Sequence, residues 1–133
     1  DVYAPNDGAV EELQARCNIA NASKSRCILS AFILTRFSTA DAGGVTAYYN
    51  SKTPYDYGLA KYIHDQNMQA TSFPDRGVQT ANFYVLLHTN MPATLLELGF
   101  ISNPAEEDAL NTEAQQQNFA ESIVKGLADY FDS

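Results

Sequence analysis

Residues 93–100 read Ala93-Thr94-Leu95-Leu96-Glu97-Leu98-Gly99-Phe100, and this stretch decides the fold. From Ala93 to Leu98 all but two positions are apolar, the look of a fully buried strand in a parallel sheet. Glu97 breaks the run. A carboxylate is costly to bury as a charge, so it needs a metal, a cation or a chemical role beside it. The plainer reading is a hydrogen-bonded, inert Glu at the open C-terminal edge of the sheet.

Outward from this strand, strands and helices alternate in a way that predicts helices packed on a sheet. Gly8 to Ala22 reads as a helix with Val10, Leu13, Cys17 and Ile19 or Ala20 inward. Ile28 to Leu34 reads as a strand, then a Ser/Thr/Asp/Gly loop leads through Gly44 to a second strand at Val45–Tyr49. Thr53 followed by Pro54 and Asp56 predicts a helix start, and that helix runs to about Ala70 with Leu59, Tyr62, Ile63 and Met68 inward. Phe73 to Gly77 reads as a turn and Phe83 to Leu87 as a strand. Asn103-Pro104 predicts a short helix. Thr112 with Gln115 makes a capping-box pattern ahead of a last helix striped by Phe119, Ile123, Val124, Leu127 and Phe131. No repeat or linker interrupts the chain, so residues 1–133 read as one α/β domain with a mostly parallel twisted sheet flanked by helices.

A chain of 133 residues, 45% hydrophobic, holds one core. Its net charge of −8, with no basic cluster, argues against a nucleic-acid partner and against passive adhesion to anionic polymers. No apolar run approaches the roughly 18 residues of a membrane span. Asp1 opens into polar sequence with no visible signal peptide. Cys17 and Cys27 lack metal-site spacing; buried or free thiols are the favoured reading, with a disulfide between them as the alternative.

Several stretches resemble a known family. DRGV at Asp75–Val78, NFYVL at Asn82–Leu86 and MPATLLELGFISNPAEE at Met91–Glu107 are similar to the zinc-dependent N-acetylmuramoyl-L-alanine amidases, cell-wall hydrolases of the amidase-3 type. ARCNIAN at Ala15–Asn21, GGVTAYY at Gly43–Tyr49 and the helix Thr112–Phe131 extend the match in order. The resemblance implies secretion or a cell-wall location, and peptidoglycan or muropeptides as partners. It also implies hydrolysis of the amide between the lactyl group of N-acetylmuramic acid and L-alanine by zinc-activated water. A zinc with three protein ligands and one open position lowers the pKa of its water and polarises the carbonyl. Glu97 falls on the family's catalytic glutamate, general base and then acid.

The same resemblance implies ligands that this chain does not show. The family's first His and its Glu lie upstream of text matching Asp1, so the chain reads as starting after the family's N-terminal strand and helix. The remaining His belongs to the strand before GGV, and there Phe32 stands in its place. His88, ending the run Phe83–Leu87, is a weak substitute candidate, and His64 reads as a solvated surface residue. Tight zinc binding by this chain is therefore not expected. Codons permitted for Leu29–Phe37, read two bases later, spell Ile-Ser-Ile-His-Thr-Asn-Ala-Phe, so an out-of-frame reading of a ligand strand is one expectation for this segment. A repacked apolar strand is the other. The tyrosines Tyr48, Tyr49, Tyr55, Tyr57 and Tyr62 read as half-buried packing, with a glycan-stacking surface as the alternative. An amidase-fold domain that binds muropeptides or regulates a hydrolase without catalysis is the competing functional reading, and an acidic protein-interaction module a weaker one.

Overall fold

The computed structural model describes residues 7–26, 28–32 and 39–133, with backbone alone at 7–9 and 28–32. In chain order the elements are α1 (Asp7–Ser23), β1 (Ile28–Phe32), β2 (Val45–Tyr49), α2 (Asp56–Gln69), β3 (Asp75–Thr80), α3 (Tyr84–Leu87), β4 (Ala93–Glu97), α4 (Pro104–Leu110) and α5 (Glu113–Asp132). Among the described residues one sheet forms, in the order β1-β4-β2-β3. The β1/β4 and β2/β3 pairings are parallel and the central β4/β2 pairing is antiparallel. The α/β class with a mostly parallel sheet is as the sequence predicts. The antiparallel centre is not legible from an apolar run, which looks the same in either direction.

Side chains alternate across a strand, so the sheet has two distinct faces. Val45, Ala47, Leu96 and Leu98 face α2 and α5, where Leu59, Ala60, Ile63, Leu110 and Phe119 complete the main core. Ala93 and Leu95 face the other way, onto Leu86, with Tyr48, Phe83 and Val85 around them. That second face carries α3. Helix α1 is fastened to α3 and the turn after it, where Tyr84 donates to Gln14 and the Asn21 amide bonds the His88 carbonyl and the Asn90 N–H.

Two predicted elements are corrected. Asp75–Thr80 is an edge strand rather than a turn: it carries one extra residue opposite Val45–Ala47, and Gly77 takes it up with φ of 82°. Tyr84–Leu87 is a short helix rather than a strand. Four consecutive apolar residues fit either period, and here the helix sends Leu86 into the second core while leaving Leu87 exposed.

Caps are closer to expectation. Asn103 accepts from the Ala105 and Glu106 N–H groups with Pro104 in the first turn, and Thr112 accepts from Gln115. Thr53 accepts from the Tyr55 N–H and bonds Asp56 through both its own N–H and its hydroxyl, although α2 proper begins at Asp56. Several inward expectations fail: Tyr62, Val124 and Phe131 are exposed, while His64, Asn67, Ser122 and Gly126 line the α2–α5 seam or the core side instead, and on α1 Ala20 rather than Ile19 is half-buried. Cys17 is a buried free thiol whose pKa burial pushes up. Cys27, residues 33 and 34 of the predicted strand, and Arg36 lie outside the described residues.

Candidate functional site at the exit edge of the sheet

β4 runs toward its C-terminal end at Glu97, and the antiparallel β2 begins beside it. The parallel partner of β2, β3, starts at the same edge, and β1 ends there. Register makes the grouping explicit: Glu97 pairs with Phe32 on one side and Thr46 on the other, and Val45 pairs with Asp75. Directly paired residues share a face. Glu97 and Thr46 therefore share the α3 face, and residue 32 stands in register beside Glu97 on β1. Glu97 is half-buried. Thr46 is fully buried, and its side chain interacts with the Tyr48 hydroxyl.

Two further groups join this edge. Tyr48, two residues along from Thr46, has its hydroxyl pKa raised by burial and then by the charge of Glu97. A side-chain hydrogen bond with Thr46 and then the charge of Arg76 act on the same hydroxyl in the opposite sense. Its guanidinium lies 5.1 Å from the Phe100 ring centroid and donates to the Gly43 carbonyl at 3.3 Å. Glu106, buried on α4, ties the loops together: its Oε1 accepts from the Gly44 N–H at 3.1 Å and from the Phe100 N–H at 2.9 Å. Sequence reasoning missed Arg76 and Glu106. One signal was present, since Arg76 is the sole Lys or Arg between Lys61 and Lys125.

The histidines go elsewhere. His88 caps α3 and is exposed, at the entry end of β4. Five strand residues separate that end from Glu97, roughly 13 Å along the backbone. The reading of His88 as a substitute ligand beside Glu97 is therefore corrected. His64 is also corrected: it is 3% exposed rather than solvated, and its Nε2 lies 2.6 Å from Asp75 Oδ1. Asp75 pairs with Val45 on the α2 face, so the sheet stands between His64 and Glu97. The His64 hydrogen bond holds the Asp75 carboxyl below the usual range.

Zinc, which the resemblance implies, needs three protein donors in a closed first shell. Among the described residues no three His, Cys, Asp or Glu side chains gather to supply them. The register partner of Glu97 is a phenylalanine, which offers no donor. The described donor set does not fit the metal. The tyrosines do not form one surface either. Tyr48 packs edge-on against Phe83 and Tyr49 against Tyr57, while Tyr55 and Tyr57 are exposed near the end of β2, away from Glu97.

The sequence and the fold match known proteins. The family model described as N-acetylmuramoyl-L-alanine amidase matches residues 2–129. The chain is 35% identical over 116 residues to the uncharacterized protein YqiI of Bacillus subtilis, covering 86% of the chain and 56% of YqiI. It is 29% identical to the germination-specific N-acetylmuramoyl-L-alanine amidase of Bacillus subtilis, over 91% of the chain and 51% of that protein. The chain thus spans about half the length of these relatives. Among solved structures, an N-acetylmuramoyl-L-alanine amidase from Clostridium difficile superposes with a TM-score of 0.85 at 32% identity, over 91% of this chain and 66% of that one. A match across nearly the whole chain, with the same fold, settles the relationship: this chain belongs to the N-acetylmuramoyl-L-alanine amidase family of the amidase-3 type.

Proposed function

We propose that the chain is a peptidoglycan-directed amidase domain in which Glu97 is the proton-transfer carboxylate. The observation that carries this reading is Glu97 itself: it is half-buried at the exit end of β4, in register between residue 32 and Thr46. The bond at issue joins the lactyl group of N-acetylmuramic acid to L-alanine. Glu97 would take a proton from the attacking water and deliver it to the departing amine of L-alanine, one carboxylate serving as base and then acid. The relatives named as cell wall amidases support a site of action at the wall, outside the cytoplasm. Among the described residues no helix is long and apolar enough to cross a membrane. The chain supplies the proton-transfer side of such a site, and its described residues do not supply the metal side.

The test uses the chain with purified peptidoglycan. Expected results are co-sedimentation with the polymer, no release of new amino termini, and well under one zinc per dialysed chain. One zinc per chain, with amino-terminus release that disappears in Glu97→Gln, would overturn the division between the two sides and make the chain a complete enzyme. Failure to associate with peptidoglycan would overturn the reading as a whole.

A further inference from the structure

Arg76 is held in place by more of the structure than an exposed arginine ordinarily commands. Its own strand is pinned, because Asp75 accepts from both His64 and the Gly77 N–H. Gly44, at φ of 120°, leaves room for the stem: a Cβ there would lie 2.7 Å from Arg76 Cγ and 2.9 Å from Cδ. The guanidinium is stacked over the buried Phe100 ring and spends one donor on the Gly43 carbonyl. A guanidinium has five N–H donors in a planar fork suited to a carboxylate. In a chain of net charge −8, an oriented cation on the Glu97 side of the sheet favours an anion.

The face is settled by alternation. Asp75 pairs with Val45, whose side chain is in the α2 core, so the next residue turns to the face of Thr46 and Glu97. The effect of Arg76 on the Tyr48 hydroxyl, on which Glu97 also acts, agrees. Between β4 and β3 stands only β2, so the two backbone positions lie about 10 Å apart, two strand spacings. An extended peptide covers about 3.5 Å per residue. A group two residues beyond an amide held at Glu97 therefore comes within reach of an arginine side chain.

We infer that Arg76 binds a carboxylate of the muramoyl peptide stem, that of the acidic second residue, and so sets which stem chemistry the domain accepts. This rests on the muropeptide reading above. Arg76 acts here as a specificity-determining residue that takes no part in bond cleavage.

The experiment compares two synthetic probes by calorimetric titration: N-acetylmuramoyl-L-alanyl-D-glutamate and the same molecule with the glutamate α-carboxyl amidated. The wild-type chain is expected to bind the free acid roughly tenfold or more tighter, as a charge-assisted bidentate contact supports. Arg76→Gln should abolish that preference, and Arg76→Lys should restore part of it. Loss of fold would lower affinity for both probes alike, so preference is the readout. If Arg76→Gln does not fold, the wild-type preference and its weakening with salt still decide. Equal wild-type affinities, or a preference that survives Arg76→Gln, would overturn the inference and leave the muropeptide reading intact. Binding of neither probe would overturn both.

Discussion

The two ends of β4 each carry a carboxylate, and they are held in opposite ways. At the entry end Asp56 is completely buried and saturated. Its Oδ1 accepts from Lys52 Nζ at 2.8 Å and the Ala93 N–H at 2.9 Å, and its Oδ2 accepts from the Thr53 N–H at 2.9 Å and hydroxyl at 2.6 Å. At the exit end Glu97 is half-buried, with the fully buried Thr46 beside it in register and its charge acting on the Tyr48 hydroxyl. A buried carboxylate with every lone pair in use locks structure, and a half-buried one at the edge of the sheet keeps access to solvent. The same strand is thus stapled at one end and half-open to solvent at the other.

The largest expected effect tests the stapled end. Asp56→Ala removes one partner of a buried ion pair and strands Lys52 and the Ala93 amide, at a cost of about 3–5 kcal/mol. Urea denaturation measures it. Glu97→Gln on the same protocol should shift stability by less than about 1 kcal/mol. Similar costs at both ends would break the comparison. Acid adds a second readout. Burial alone would raise the Asp56 carboxyl, and the hydrogen bonds from Lys52, Thr53 and Ala93 outweigh it and hold it low. A depressed carboxylate contributes stability that is full above the unfolded-chain value of about 3.9 and is lost as pH falls through the folded value. Asp56→Asn should therefore flatten the decline in melting temperature below about pH 4.

An intermediate effect is expected at Glu106, which is the staple of the exit edge itself. Glu106→Ala leaves the Gly44 and Phe100 N–H groups unpaired in a buried place, for a loss of roughly 2–3 kcal/mol. Glu106→Gln keeps an acceptor and should lose less. If the alanine variant instead melts like the wild type, the exit edge is not held by this carboxylate. The position of Arg76 would then depend on its stacking and the Asp75 anchor alone.

These differences show which parts of the molecule a sequence displays. β2, β4, α2 and α5 were legible because each has a sustained period or a cap that only one element explains. Asp75–Thr80 was not, because Pro74 and Gly77 look like a turn, and the strand exists only through pairing with β2. Tyr84–Leu87 was not, because helix and strand share four apolar residues. At the site, Glu97 stood out as a charge in an apolar run. His64 did not, since its burial depends on Asp75 arriving from eleven residues away. Arg76 and Glu106 gain their roles from contacts across the fold, to Gly43, Gly44 and Phe100, that no local pattern records. The row joining residue 32, Glu97 and Thr46 is likewise a property of register.

The smallest expected effect is the most direct probe of the open end. Tyr48 reports the charge at Glu97, since its hydroxyl is raised first by burial and then by that carboxylate. Removing the charge while keeping the shape, as in Glu97→Gln, should move the Tyr48 ionisation downward without returning it to the ordinary tyrosine value, because burial remains. Arg76→Gln should move it upward, because a cation that favours the phenolate is lost. Carbon-13 labelling of the tyrosine ζ positions and an alkaline NMR titration resolve Tyr48 from the other seven tyrosines. Opposite shifts from the two substitutions place both charges on one side of the sheet, facing the same phenol. Shifts of the same sign, or none from either, would separate Glu97 from Arg76 and dissolve the exit edge as a single site.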